Sequence, residues 1–308
     1  MSTTQDAGSH PAYIHGTSAE EQARLSRLNE WLNARCLREV GLRAGERVLD
    51  VGCGLGQFSR LMGRELRRMD RIAPMDIRGV PQGSALGGAA RPAPGARVVA
   101  VERDPETLDA ARKLAADVGE TALVDFRQGD VLHLPIEAHE RGFEVVHCRF
   151  VLEHMPQAAA AVAAMVAAAA PGGRIVLIDE DHDVFRLNPE LPEFEPVWRA
   201  YIAAYARNGC DPSVGRRLTT LLHGAGAKPA RATSIFFGAC AGSADFELHA
   251  DNLIALMTGA RASIVSAATG GIDARAFDAG LAALAGWRKL PDAAVWYSVV
   301  FAEGVKAA

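Results

Sequence analysis

From about residue 47 to residue 180, short apolar runs alternate with longer amphipathic segments. Arg47–Val51, Arg97–Val101, Phe143–Cys148 and Arg174–Ile178 each read as a buried strand. Helical stretches fall between them: Gln57 to about Arg68, Pro105 to about Val118, and the Ala-rich run Ala158–Ala170. Asp125-Phe126-Arg127 leads into Gly129-Asp130. Strands alternating with helices predict an α/β fold, a parallel sheet covered on both faces. Ahead of it, residues 1 to about 12 are small and polar. Ser18 with Glu21 is a capping-box pattern, opening a helix with Leu25, Leu28, Trp31 and Leu32 on one face.

The rhythm breaks twice. From about Asp70 to Ala96 there is no period, and Pro74, Pro81, Pro92, Pro94 and Gly87-Gly88 read as an insertion. After about Asp183 the pattern turns mainly helical, with Val197, Tyr201 and Tyr205 four residues apart, and helices at about Asp245–Ser266 and Ala274–Trp287. Thr233–Ala239 and Val295–Ala302 read as late strands. The helices after residue 183 are expected to cap the carboxyl edge of the sheet. The predicted organisation is a flexible segment 1–16, a core 17–182 with a leading helix and the insertion at about 70–96, and a part 183–308 that caps the core and completes the sheet.

One stretch carries chemistry. Val48-Leu49-Asp50-Val51-Gly52-Cys53-Gly54-Leu55-Gly56-Gln57 runs from an apolar strand into a glycine turn. Glycine accepts the positive φ of such a turn and lets a ligand approach the backbone. Dinucleotide sites favour G-x-G-x-x-G; here the third glycine comes one residue early and Gln57 stands where that pattern wants glycine.

Charge and composition narrow the classes. With 33 Lys and Arg against 37 Asp and Glu, the net charge of −4 argues against a broad nucleic-acid footprint. Five cysteines without a C-x-x-C pair, and an N-terminus without a basic-then-apolar leader, lead us to expect a reducing, cytoplasmic setting. Ala158–Ala170 is too short and too weakly apolar to span a bilayer, so no membrane is expected. Arg60, Arg64, Arg67, Arg68, Arg71 and Arg78 cluster near the insertion and read as an exposed helix face or a subunit contact, as in a homodimer, rather than a nucleic-acid site.

The glycine turn resembles motif I of the class I S-adenosylmethionine (SAM) methyltransferases, and the resemblance extends over about residues 45 to 180. It implies a Rossmann-like, seven-stranded, mostly parallel sheet with helices on both faces and, here, a helical cap. It implies SAM as cofactor, S-adenosylhomocysteine (SAH) as product and no metal. Asp50, Gly52, Cys53, Gly54 and Gly56 would face the methionine part. Glu102, with Arg103 beside it, would take the ribose hydroxyls; Asp76 lies nearer the usual spacing, but Pro74 argues against a strand before it. Gly129-Asp130-Val131 resembles the adenine-binding element, and Cys148-Arg149-Phe150-Val151-Leu152-Glu153-His154 the segment beneath the methionine. Tyr13 and His15 precede a helix that in related small-molecule enzymes forms a lid over the cofactor; the resemblance implies that both close over SAM, the alternative being an ordinary helix lead-in.

The acceptor side is less marked. His154 is the candidate base, open to a second role packing on the cofactor or capping the Ala-rich helix. Arg149 and Glu180 are candidate acceptor contacts. Asp179, Glu180, Asp181, His182 and Asp183 alternate faces along a strand, so few can converge on a metal. Trp198, Tyr201, Tyr205, Phe246, His249 and Met257 read as core or as acceptor-pocket lining. The expected function is methyl transfer to an O, N or C nucleophile of a small molecule. The alternatives are a SAM-fold enzyme without methyl transfer, such as an aminopropyl transferase or SAM-assisted cyclase, or a SAM-binding pseudoenzyme.

Overall fold

The computed structural model describes residues 32–72, 97–265 and 271–308. The expected lead-in with Tyr13 and His15, most of the first helix, and the insertion from residue 73 onward lie outside them. Residues 32–40 are helical (α1) and bury Leu32, Cys36 and Val40, at the four-residue spacing of one helix face.

Five parallel strands follow: β1 (Val48–Val51), β2 (Val98–Glu102), β3 (Val124–Gln128), β4 (Phe143–Arg149) and β5 (Ala169–Glu180), in the order β3-β2-β1-β4-β5. Then come β6 (Arg186–Asn188), β7 (Ala227–Cys240) and β8 (Ala294–Lys306). Strand β8 runs antiparallel beside β5, and β7 lies antiparallel against β8. These seven strands are the expected sheet. The eighth, β6, is a three-residue addition on the Ala294–Trp296 end of β8.

Side chains alternate between faces along each strand, and each face has its own core. On one, Leu49, Val51, Val146, Cys148, Ile175 and Leu177 pack under α4 (Ala158–Ala168), which buries Ala161, Val162, Met165 and Val166. On the other, Val48, Val98, Ala100, Val145 and Val176 pack under α1 and α2 (Gln57–Ile72). Helix α3 (Pro105–Asp117) starts at Asp104, whose carboxylate accepts from Thr107 N, a regular N-cap.

The third core belongs to the cap: α5 (Glu195–Arg207), with the later helices α7 (Ala244–Gly259), α8 (Arg261–Ile264) and α9 (Ala274–Trp287). It is built on Val197, Tyr201, Phe246, Leu253, Phe277 and Trp287. One helix after residue 183 is placed otherwise than expected. Helix α6 (Leu218–Gly224) covers the sheet, because Leu218, Leu221 and Leu222 join the α4 side of the core.

Helix α2 continues to Ile72, past the expected end near Arg68. In its last turn Asp70 accepts from Gly45 N at 3.2 Å and pairs with Arg97 at 2.7 Å. Two arginines of the presumed exposed face are engaged inside the chain: Arg60, only 8% exposed, and Arg64 both pair with Glu120.

The chain leaves β1 for β2 and β3 on one side and returns to β4 on the other. Asp50 therefore stands in register between Ala100 and His147 at the switch point, where open α/β sheets hold ligands.

Candidate functional site

A cavity of about 470 Å3 opens over the carboxyl ends of β1, β2, β4 and β5, between the sheet and the cap helices α5 and α7. Asp50, Gly52, Cys53, Gly54, Glu102, Arg103, Gly129, Asp130, Val131, Arg149, His154 and Glu180 all line it. Gly56 and Cys148 do not.

The glycines of the turn differ in what they do. Gly54 has φ +53°, and a Cβ there would meet nothing within 4 Å, so its backbone is open to a ligand. At Gly56, with φ +67°, a Cβ would fall 2.5 Å from the Phe126 ring; this glycine packs α2 against β3 and does not face the cavity. Cys148 is likewise a core residue at 1% exposure, with its thiol pushed well up by burial and by the nearby Asp179 and Asp50 carboxylates. The sequence had placed both with the cofactor contacts. Neighbour packing, invisible in the motif, puts their side positions elsewhere.

The acids at the strand ends are braced by the chain itself. Glu102 accepts from Gly54 N at 3.0 Å through one oxygen, and from Arg103 N at 2.9 Å and Asp104 N at 3.0 Å through the other. It thus holds the glycine turn while facing the cavity. Asp130 accepts from Leu132 N at 2.8 Å, which fixes its loop. Asp50 is buried; Ser59 donates to one oxygen, and His147 Nδ1 lies 2.8 Å from the other. His147 was missed in the sequence, where it passed as part of a buried strand. A histidine within such an apolar run was the available signal. Burial, with Asp50 and Glu102 close by, pushes the Cys53 thiol well up.

After β4 the chain turns through Phe150, a non-glycine residue at φ +57°. Arg149 lies over the Phe58 ring, 4.3 Å from its centroid, and donates to Asn33 of α1 at 2.9 Å. The structure ties it to the α1 side of the cavity.

The lining also holds Glu153, His154, Glu180, His182, Trp198, Tyr201, Tyr205 and Tyr297, of which Glu180 and Tyr297 lie near Cys36 on the α1 side. His154 stacks on Tyr205 with ring centroids 5.6 Å apart, and His182 stacks on Trp198 at 5.5 Å. Burial lowers His154 to about 3 and His182 to about 4, so both imidazoles are neutral at pH 7. Burial raises Glu180 to about 8, against the hydrogen bond it accepts from Tyr297 OH. Burial, with Asp179 and Glu180 adding, pushes Glu153 well above the carboxylate range. Glu153 had been read only as part of a motif, and Tyr297 as part of a late strand. Nothing in the sequence shows that β8 delivers Tyr297 to Glu180.

The acids around the end of β5 diverge, as strand alternation predicts, and two of them are held inside the chain. Asp179 is fully buried and accepts from Leu152 N at 2.9 Å, and Asp181 pairs with Arg216. Among the described residues no group of three or more His, Cys, Asp or Glu side chains could hold a metal ion. Nor is any helix among them long and apolar enough to cross a membrane.

With this geometry in view, comparison with known proteins gives a consistent result. A methyltransferase-domain family profile matches residues 20–229 of the 308. The ubiquinone biosynthesis O-methyltransferase of Psychrobacter arcticus is 33% identical over 168 residues, 53% of this chain and 50% of that protein. Methyltransferase str3 of Strobilurus tenacellus is 29% identical over 167 residues, 51% of this chain and 56% of that one. The chain spans about half the length of the curated relatives it matches. A crystal structure from Bacillus halodurans C-125, whose assignment as a methyltransferase is provisional, superposes with a TM-score of 0.51 at 16% identity, covering 89% of this chain and 98% of that one; this likeness concerns the fold. The glycine turn, the braced acids at successive strand ends and the extent of the profile match together place the chain in the class I SAM-dependent methyltransferase family.

Proposed function

We propose that this chain transfers a methyl group from SAM to an oxygen, nitrogen or carbon nucleophile of a small molecule by in-line displacement. One observation carries the reading: a single cavity is lined both by the glycine turn with its strand-end acids and by buried acids, imidazoles and aromatic rings.

The residues fit the cofactor. Gly54 leaves its backbone uncovered at the turn, and the carboxyls of Glu102 and Asp130 are held facing the cavity by backbone N–H groups. A carboxylate oxygen that already accepts one hydrogen bond keeps a second lone pair, so Glu102 can still take hydroxyl donors. Bound SAM supplies a methyl already activated by its sulfonium. The chain supplies alignment and exclusion of water, and the aromatic wall from α5 serves the second.

The curated relatives include proteins named for O-methylation in ubiquinone biosynthesis. Their names make a hydroxylated small molecule the first acceptor class to test. A cytoplasmic setting belongs to the same proposal and is supported by five free cysteines. So do a homodimer and the absence of a nucleic-acid partner, the latter supported by the net charge of −4.

Calorimetry with SAM and SAH tests cofactor binding, and mass spectrometry of SAH release with hydroxylated and amine acceptors tests transfer. SAM binding with acceptor-dependent SAH release is the expected outcome. No SAM binding at millimolar concentration would overturn the reading.

A further inference from the structure

Glu153 sits in the short helical turn after β4, and the described groups acting on its carboxyl are acids, a thiol and neutral side chains. His154 Nε2 lies 3.5 Å from one oxygen and His182 Nδ1 3.9 Å from the other. The second oxygen and His182 Nδ1 make no hydrogen bond, although both are buried. Glu153 is only 4% exposed, yet it lines the cavity. Its other ionisable neighbours among the described residues are Asp179 and Glu180 from β5, Cys210 from the loop after α5 and Tyr297 from β8. Tyr201 and Tyr205 close the pocket from α5. Among the described residues no arginine or lysine is one of the groups acting on it.

A buried carboxyl with an unused oxygen at the edge of a ligand cavity is costly unless it has work there. Of the two imidazoles beside it, His154 can offer an N–H to its ionised form, while neutral His182, whose other ring nitrogen is engaged by the Pro212 carbonyl, presents the Nδ1 lone pair to its protonated form. Catalytic hydrogen bonds are commonly long before the ligand is present and tighten in the complex. His154, in contrast, is held neutral so firmly that it makes a weak proton acceptor. The wall around Glu153 is aromatic: Phe185, Trp198, Tyr201 and Tyr205 all line the same cavity. Such a wall suits a planar ring.

Resting on the methyl-transfer reading, we infer that Glu153 is the base of this site, taking the proton from a weakly acidic hydroxyl on a planar ring, with His154 and His182 as positioning residues. The acceptor O–H bond breaks and its proton goes to a Glu153 carboxylate oxygen. The electron pair stays on the ring oxygen, which forms the new bond to the methyl carbon as the sulfur–methyl bond breaks and sulfur keeps that pair. The upward push that burial and two neighbouring acids give Glu153 brings it closer to the acidity of such a hydroxyl, where proton transfer is efficient.

The test uses the full chain, SAH and catechol as the probe. SAH calorimetry comes first, since absent SAH binding would sink the methyltransferase reading itself and not this inference alone. Infrared spectra of the SAH-loaded protein minus those of SAH-loaded Glu153→Gln, in which the Asp179 and Glu180 carboxyls cancel, should leave a protonated carboxyl band at neutral pH that titrates away on raising pH and shifts on adding catechol. With SAM and catechol, turnover should rise tenfold per pH unit to a plateau at the same midpoint. In Glu153→Gln that limb should vanish and kcat fall at least 100-fold, with melting temperature and SAH affinity unchanged. If Glu153→Gln does not fold, Glu153→Asp should move the band and the rate midpoint together. A difference spectrum between the two proteins that holds no such carboxyl band, a rate profile whose shape Glu153→Gln leaves intact, or catechol that neither shifts the band nor reacts overturns the inference.

Discussion

His147 Nδ1 lies 2.8 Å from Asp50 Oδ1, across the register pair that joins β4 to β1, and both side chains are buried. The acid on which the glycine turn begins therefore has a histidine partner fixed by sheet register. Replacing His147 with Leu leaves that oxygen without its partner in a buried place. The expected loss of stability is about 1–3 kcal/mol, read from urea unfolding. Asp50→Asn combined with His147→Leu should cost less than the sum of the two, since they share one interaction.

Gly54 and Gly56 should respond differently to alanine. Gly54→Ala meets open space and only backbone strain, about 1–2 kcal/mol, so it should fold and bind SAH at least tenfold more weakly. Gly56→Ala drives a methyl into the Phe126 ring and should lower the melting temperature sharply, with partial rescue by Phe126→Ala. Equal stability losses in the two variants would contradict the separation of binding from packing.

Glu102→Ala should weaken SAH binding by roughly 1–3 kcal/mol through lost charge-assisted hydrogen bonds. Glu102→Gln should do little better. Both carboxylate oxygens face backbone N–H donors, so an amide must turn its own NH2 toward one of them. Calorimetry that finds Gln equivalent to Glu would remove the bracing role.

Stability should fall on both sides of a mildly acidic optimum. Glu180 is raised to about 8, so its contribution is full below the ordinary glutamate value near 4.5 and is lost as pH rises through about 8. Asp179, raised to about 7 by burial, acts in the same direction. His182, lowered to about 4, contributes loss on the acid side: below about 6.5 the unfolded chain gains a proton that the folded one refuses. In chemical unfolding from pH 4 to 9, Glu180→Gln should flatten the alkaline decline and leave the acid limb unchanged.

Much of this was legible in the residues. The apolar runs at Val48–Val51, Val98–Val101 and Phe143–Cys148 are buried on both faces, so they announce parallel strands without an alignment. The cofactor side was legible because glycines and strand-end acids act near their own place in the chain. The acceptor side was not. Glu153 and His182 meet across 29 positions, and Tyr297 reaches Glu180 across 117, through an antiparallel pairing the sequence does not declare. The rank of α6 as a sheet helix was hidden for the same reason, since its leucines suit a cap or a core equally.

The Asp70–Arg97 ion pair has a consequence for how this chain tolerates change. It ties the last turn of α2 to the residue before β2, with Gly45 N held by the same carboxylate. With those two ends fixed side by side, the length of chain joining them is cheap to vary, since each doubling of a linker costs only about 0.6 kcal/mol in closure entropy. The ends that flank residues 73–96 thus make a port in the fold. Sequence can be lengthened, trimmed or exchanged there while the strands that carry Asp50 and Glu102 keep their register.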